Sequence, residues 1–416
     1  MIARARTLSA LAIALALPTA SCARSSAGGL DVPDAPASPQ AKAVPAQLAA
    51  VPQLSPSGTL PLSLDAGPPP IPLRGDITAV ADVVGTKEII GYTLQAAFRP
   101  AELLPPPRGA EVSQAGLEAA RRKTEPRMTI DLSATRARIV LGTGFVLPAE
   151  SELRARVDRY GFFLVAPGGA SYRTAAPGSL RALLGERRLD VAPLSPADVA
   201  PRGDGPRLLG YRTRRVELVT RAANATIEIA HVTDSGDGGS LLCRVLLDLV
   251  NAPPSTPLCG WEDVPLHADL RWTTRGALAF DVTSIARHTD LSPLTLAAPP
   301  PTSVFLPTPP PPSPGEALLG QNDLAAFRAQ PVDVPDAGID PTLGLVLVNS
   351  TDELRLAWLD GVPIAWVGPG ARIAVPGLVR GRYTLQWRTF LGDVLEPPEP
   401  ITIPGQSRVG PEDGGL

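Results

Sequence analysis

The sequence predicts a mainly β protein: a curved antiparallel sheet or incomplete barrel with short covering helices, followed by a small β-sandwich. Three observations carry that reading. Apolar and polar residues alternate over short runs such as residues 127–132 and 226–231, the pattern of strands with one face buried and one wet. Turn-forming clusters separate the runs, at residues 142–144, 167–169 and 234–239. Segments with helical spacing are few and short.

Taken in chain order, the first element is an address. In MIARARTLSALAIALALPTASC, Arg4 and Arg6 form a positive n-region, residues 8–17 a short apolar stretch, and Thr19, Ala20 and Ser21 the small residues of a cleavage site. The apolar stretch is too short to span a bilayer. Cys22, following Ala20 and Ser21, resembles the cysteine of the bacterial lipobox, which implies diacylglycerol on its thiol and a mature chain that starts there. Ordinary cleavage nearby, for instance after Ala23, is the alternative. Either outcome places the mature protein outside the cytoplasm. Ala23 lacks the acidic side chain of the enterobacterial inner-membrane retention signal, so the same resemblance implies the outer membrane. Residues 23–74 are almost all Ala, Pro, Ser, Gly and isolated Leu, a composition that cannot bury enough apolar surface to offset its ordering entropy. They read as a disordered tether.

Residues 75–306 form the larger β unit. Met128, Ile130 and Leu132 share one strand face, as do Ile227 and Ile229, and Leu266, Ala268, Leu270 and Trp272 oppose His267, Asp269 and Arg271. Two helices interrupt the strands, at residues 113–123 with Ser113 as N-cap and at residues 179–186 with Leu180, Leu183 and Leu184 on one face. With Cys22 set aside, Cys243 and Cys259 remain as an even pair in an exported chain, so a disulfide follows. Cys243 falls in the run LLCRVLLDLV, which reads as a strand, and Cys259 follows a turn-rich loop. Closing a loop of about 15 residues stabilises by roughly 3 kcal/mol.

The order of these elements resembles a known family. Strands around RMTIDL, ARIVL, ELRARVD and GFFLVA, the helix at SLRALLGE, and the closing stretch DLRWTTRGALAFDVTSIARHTDLSPLTLAAPP are similar to the lipoprotein-carrier fold of LolA and its relatives. The resemblance implies an incomplete barrel, capped by helices, that holds acyl chains. Its hollow would be lined by Leu132, Ile139, Phe162, Leu164, Leu183, Val216, Ile229 and Leu270. A closed barrel or sandwich with a packed interior is the alternative.

Residues 307–341 read as a proline-rich linker, residues 342–405 as the small β-sandwich, and residues 406–416 as a loose tail. Asp360-Gly361 is a two-residue hairpin signal that sets Leu359 opposite Val362, Ala357 opposite Ile364 and Arg355 opposite Trp366. Together with Val375-Pro376-Gly377-Leu378 and Gly381-Arg382-Tyr383-Thr384-Leu385, it resembles the immunoglobulin-like surface modules of the PEGA type, although that tetrapeptide is absent.

Chemistry is sparse. His231 continues the inward phase of its strand, His267 lies on a polar phase and His288 near a strand end, so the three do not converge on a metal or an acid-base site. Asp234 and Asp237 sit in a glycine-rich loop without EF-hand spacing, which reads as a turn. Trp261 and Trp272 read as packing residues. No nucleophile elbow or phosphate-binding loop is visible, and a net charge of -3 without a basic block gives nucleic acid nothing to bind. The expectation is a non-enzymatic protein with no cofactor and no metal, tied to the membrane by its N-terminal lipid. Its large domain would bind a lipid or lipoprotein acyl chain. The alternative is an interaction lipoprotein presenting two β domains to envelope proteins or the cell wall.

Overall fold

The computed structural model describes residues 89–100, 112–186, 192–274, 276–308, 310–327 and 344–411. The export signal, Cys22 and the tether lie outside the described residues. The architecture is mainly β. Its centre is an open twelve-stranded sheet in the order β12-β6-β5-β4-β3-β2-β1-β11-β10-β9-β8-β7, with β12 and β7 as free edges, so the sheet does not close into a barrel. Its strands are β1 (Ile89–Pro100), β2 (Arg127–Ser133), β3 (Arg136–Leu141), β4 (Glu152–Arg156), β5 (Phe162–Val165), β6 (Ser171–Ala175), β7 (Asp198–Asp204), β8 (Thr213–Val219), β9 (Ala223–His231), β10 (Asp263–Trp272), β11 (Ala277–Leu291) and β12 (Val304–Phe305). Neighbours are antiparallel except for β12, which runs parallel to β6.

The predicted alternation is what sets the register. Leu94 faces Ile130, Ile130 faces Ile139, Ile139 faces Leu153 and Leu153 faces Leu164, so one apolar row crosses five strands on the inner face. Slipping any strand by one residue would turn its row to the opposite face.

Helix α1 (Gln114–Thr124) starts where expected: Ser113 is its N-cap and its Oγ accepts the Gly116 amide at 2.9 Å. Helix α2 (Gly238–Leu249) corrects the reading of LLCRVLLDLV as a strand. It packs on β10, β2 and β3, and ten of its twelve residues are buried. Ser240, Arg244 and Asp248 fall four residues apart, a narrow polar stripe at helical spacing, but the residues between them are apolar and buried, so the run also matches a short buried strand. The disulfide Cys243–Cys259 joins the middle of α2 to the loop that follows it.

The helix expected at residues 179–186 is shorter, a single 3₁₀ turn at Leu180–Leu184, ended by Gly185 at φ +95°. His231 corrects its inward reading: it lies at the last position of β9, exposed, 3.3 Å from Glu262.

The proline-rich stretch does not stand clear of the large sheet. Beyond β11, residues 292–308 and 310–314 run back over its outer face as a strap. Leu296, Ala297 and Ala298 are buried, the Ala297 carbonyl accepts from Arg154 at 2.5 Å, Ser303 donates to Gly169, and β12 pairs with β6. Under the strap lies a row of charges. Thr93 donates to Asp131 at 2.8 Å, Arg138 bridges Asp131 and Glu152 at 3.1 and 2.5 Å, and Arg154 meets Glu152 at 2.6 Å.

The remaining strands form two small sheets. One holds β13 (Gly315–Ala317), β16 (Val362–Val367), β15 (Arg355–Leu359), β18 (Gly381–Thr389) and β19 (Glu399–Ile403). The other holds β17 (Arg372–Val375), β14 (Leu345–Asn349) and β20 (Gly405–Val409), and a short helix α3 (Gln321–Ala325) follows β13. Asp360 and Gly361 take φ of +47° and +81°, the double left-handed turn that this dipeptide favours. Leu359 opposes Val362 as predicted. An irregularity then shifts the register, so Ala357 opposes Ala365 and Arg355 opposes Val367, which corrects the pairs expected with Ile364 and Trp366. Every residue of both strands is buried, so no polar row marked the slip.

These small sheets pack against one end of the large one. Leu354 N donates to Gly185 O at 2.7 Å, Gly276 N to the Asp393 carboxylate at 2.8 Å, Lys123 to Ala317 O at 3.1 Å, and Ser313 N to Val146 O at 2.9 Å.

Candidate functional site

The eight residues expected to line a hollow are brought together. Leu132, Ile139, Phe162, Leu164, Leu183, Val216, Ile229 and Leu270 are 0–4% exposed and belong to one continuous apolar cluster. Sheet, α2 and the 3₁₀ turn close over them. Among the eight, Leu164 also lines an open cleft.

That cleft, with a volume of about 320 Å³, lies at the β6 rim of the large sheet. One wall comes from β5 and β6, through Leu164, Tyr172 and Arg173. The other comes from Leu306, Pro310 and Pro311 of the strap, and Pro148 and Pro167 lie between. The strap is held in place by Val304 N and Leu306 N, which donate to Ala170 O at 3.0 Å and Tyr172 O at 2.8 Å. The Tyr172 ring packs edge-on between Phe163 and Phe305, with centroids 5.9 and 5.7 Å away. Prolines suit this wall because they fix φ and leave few donors that need partners.

One charged group enters a mainly apolar lining that also includes Ser171 and Thr308. Arg173 pairs across the sheet with Leu164, and its Nε is buried without a hydrogen-bond partner among the described residues. A buried donor without an acceptor costs free energy, and the rest of the Arg173 side chain lines the cleft as its one cation. No carboxylate lines the cleft. The arrangement fits a small apolar group that ends in an anion.

Sequence reasoning passed over this site because the strap was read as a spacer. The signal was present in VFLPTPPPP, where Val304, Phe305 and Leu306 stand in a segment that would have no use for apolar side chains in water.

The other polar candidates have structural partners. His267 Nδ1 lies 2.8 Å from Asp281, which also meets Arg99, and its Nε2 lies 3.4 Å from Asp269. Asp234 pairs with Arg287 at 2.7 Å. Among the described residues no group of His, Cys, Asp and Glu is arranged to hold a metal. Trp272 is half-buried and donates to Leu249 O at 3.2 Å, whereas Trp261 is 64% exposed, which corrects its reading as a packing residue.

Asp248 is the most perturbed acid. It sits on α2, 2% exposed, and accepts from Gly178 N at 2.5 Å and Leu180 N at 2.9 Å, so it holds the start of the 3₁₀ turn. Burial pushes its pKa up to about 6, against the pull of those two amides. A raised folded pKa means that the fold binds the proton more tightly than the unfolded chain. Its contribution to stability is therefore full below the unfolded value of 3.8 and is lost as pH rises through about 6. The shift corresponds to about 3 kcal/mol.

His267 acts in the same direction at higher pH, because the Asp281 hydrogen bond raises its pKa. At the acid end Glu152 and Asp281 oppose both. Burial pushes each up, but Arg138 and Arg154 on one, and His267 and Arg99 on the other, hold them below the usual carboxylate range. Their contribution is lost as pH falls through those lowered values. The denaturation midpoint is expected to peak at about pH 4, where the carboxylate gains end and the Asp248 loss begins. Asp248→Asn should flatten the limb between neutral pH and that peak, and an unchanged limb in urea melts of the variant would count against this assignment.

No protein-family model matches the sequence, and a comparison with curated proteins finds no match. Among solved structures, one described as the structure of PNGF-II in a C2 space group is similar over 52% of this chain and 30% of that chain, at 8% identity and a TM-score of 0.28. This chain thus spans less than a third of that structure. A likeness of that size supports no inference about chemistry.

Proposed function

We propose that this is an exported envelope protein, anchored by lipid at Cys22 on the outer membrane, that binds an anionic amphiphile such as a fatty acyl carboxylate in the rim cleft. The observation that carries the ligand reading is the cleft itself: a mainly apolar lining, a volume of about 320 Å³ and Arg173 as its one charged residue. That size is at the lower end for small-molecule sites, which suits a short acyl segment better than a whole lipid. The open sheet with α2 across its inner face is compatible with a LolA-like layout. The two small sheets are read as an immunoglobulin-like sandwich of the PEGA type.

The interaction reading has its own support. The eight residues expected to line an internal hollow are 0–4% exposed, which favours a filled core under α2. In that case the ligand is the apolar side chain and carboxylate of a protein or cell-wall peptide, held in the same cleft.

A fluorescent fatty-acid probe tests the ligand. Saturable binding is expected, weakened about tenfold by Arg173→Gln, the loss of one charged hydrogen bond, and abolished by Leu306→Asp. A wild-type protein that binds no probe, and carries no lipid in native mass spectra, would leave the interaction reading. Fractionation tests the anchor: a carbonate wash should strip the Cys22→Ser variant from membranes but leave the wild type, and a variant that still pellets after the wash would refute lipidation at that residue.

A further inference from the structure

Opposite the small sheets, the large sheet ends in a group of loops held together by direct contacts. Tyr92 of β1 donates to Thr233 O at 2.5 Å, and Arg287 of β11 meets Asp234 at 2.7 Å. Asp234 N donates to Glu262 at 2.7 Å, and Arg214 of β8 reaches both Asp263 at 2.7 Å and Leu258 O at 3.0 Å. The start of β1, the β7–β8 hairpin and the loop before β10 therefore share one end.

Two large apolar side chains project from it. Trp261 is 64% exposed, two residues beyond the disulfide that clamps its loop to α2. Leu209 is 42% exposed at the tip of the β7–β8 hairpin, where Leu208 and Tyr211 exchange backbone hydrogen bonds at 3.0 and 2.8 Å. Leu209 and Gly210 take φ of +50° and +87°. The second position has the glycine such a turn wants, but the first has leucine where asparagine, aspartate or glycine would fold with less strain. Folding does not explain an exposed leucine held in that conformation, so its use lies in what the tip touches.

The surroundings indicate the partner. Arg207 and Arg212 flank Leu209. The Arg207 Nε donates to Gly210 O at 2.8 Å, and none of the described carboxylates pairs with either arginine. Trp261 is followed by Glu262 and Asp263, which meet His231 and Arg214, whereas the Leu209 tip lies between arginines without a described carboxylate partner. An exposed ring beside such a tip suits the boundary of an anionic bilayer, where rings settle at headgroup depth and guanidinium groups meet phosphate. The chain outside the described structure supports the same choice, since residues 1–88 join the fold at Ile89, at this end, beside the exposed Ile90.

We propose that this end of the sheet docks on an anionic lipid surface, with Trp261 and Leu209 entering the headgroup layer and Arg207 and Arg212 on the phosphates. The proposal rests on the envelope reading of the chain, but its test does not depend on lipidation. The full chain carrying Cys22→Ser is floated with vesicles of phosphatidylcholine alone or mixed with phosphatidylglycerol. Brominated acyl chains serve as quencher.

Trp358, Trp366 and Trp387 are buried, and Trp272 is half-buried at the far end of β10, beside the small sheets, so quenching reports mainly on Trp261. The expected result is flotation with the anionic vesicles and quenched fluorescence. Trp261→Ala with Leu209→Ser should cut partitioning about tenfold, and Arg207→Gln with Arg212→Gln should remove the preference for anionic lipid. All of these side chains are exposed, so thermal melts of the variants should match the parent.

Flotation that is equal in parent and tip variants, or binding without quenching, would overturn the proposal. So would a parent that binds neither vesicle, which would assign the tip to a protein partner. Failure of the anchor appears separately, as wild-type protein that a carbonate wash strips from membranes.

Discussion

Leu183→Asp is expected to cost about 4 kcal/mol or more and to leave the chain largely unfolded at modest urea, because it places an unpaired charge in the packed interior. Leu183 is 2% exposed on the 3₁₀ turn, which packs against α2. The carboxylate could reach water only if the turn came away from α2, which would strip the Gly178 and Leu180 amides of their Asp248 acceptor. Urea melts followed by circular dichroism, with Leu183→Met as the volume-conserving control, measure the effect. A variant that kept the parental midpoint and lost only fatty-acid binding would show the turn to be a lid over a hollow instead of part of the core.

Glu152→Ala is the second large effect, expected at about 3 to 5 kcal/mol, the range seen when one partner is removed from a buried ion pair. Glu152 is the shared acceptor of Arg138 at 2.5 Å and Arg154 at 2.6 Å. Both guanidinium groups lie on the outer face, and Arg154 is 6% exposed beneath the strap. Without the carboxylate, Arg138 keeps Asp131 but Arg154 keeps only the Ala297 carbonyl. Glu152→Gln retains one acceptor and should lose less. Equal midpoints for parent and alanine variant would show that the strap lifts at little cost.

The sequence was most legible where one face of an element is wet. Met128, Ile130 and Leu132 announced β2, Ser113 announced the start of α1, and Asp360-Gly361 announced its hairpin. It was least legible where an element is buried all round. The residues of α2 carry only a narrow polar stripe, Ser240, Arg244 and Asp248, and β15 and β16 are covered on both faces, so the helix left a faint mark and the slipped register none. The candidate cleft failed for a different reason. Its two walls are far apart in sequence, β5 and β6 on one side and Leu306, Pro310 and Pro311 on the other, and only the tertiary path of the strap brings them together. Leu164 entered the expected lining through its strand phase alone.

The path of the strap also has a mechanical side. The chain enters the large sheet at Ile89 and leaves it at Leu291, and those two residues face each other across the β1–β11 ladder. Tension between the N-terminal segment and the small sheets would, with a free linker, pull that ladder open from its end, one hydrogen bond after another. The strap intercepts the load. Force arriving from the small sheets meets the Ser313 to Val146 bond, then the β12–β6 pair, then Ser303 on Gly169 and Arg154 on Ala297, before any of it reaches Leu291. Were the N-terminal segment held to a membrane as proposed, residues 292–308 and 310–314 would act as a strain relief that keeps the central ladder closed.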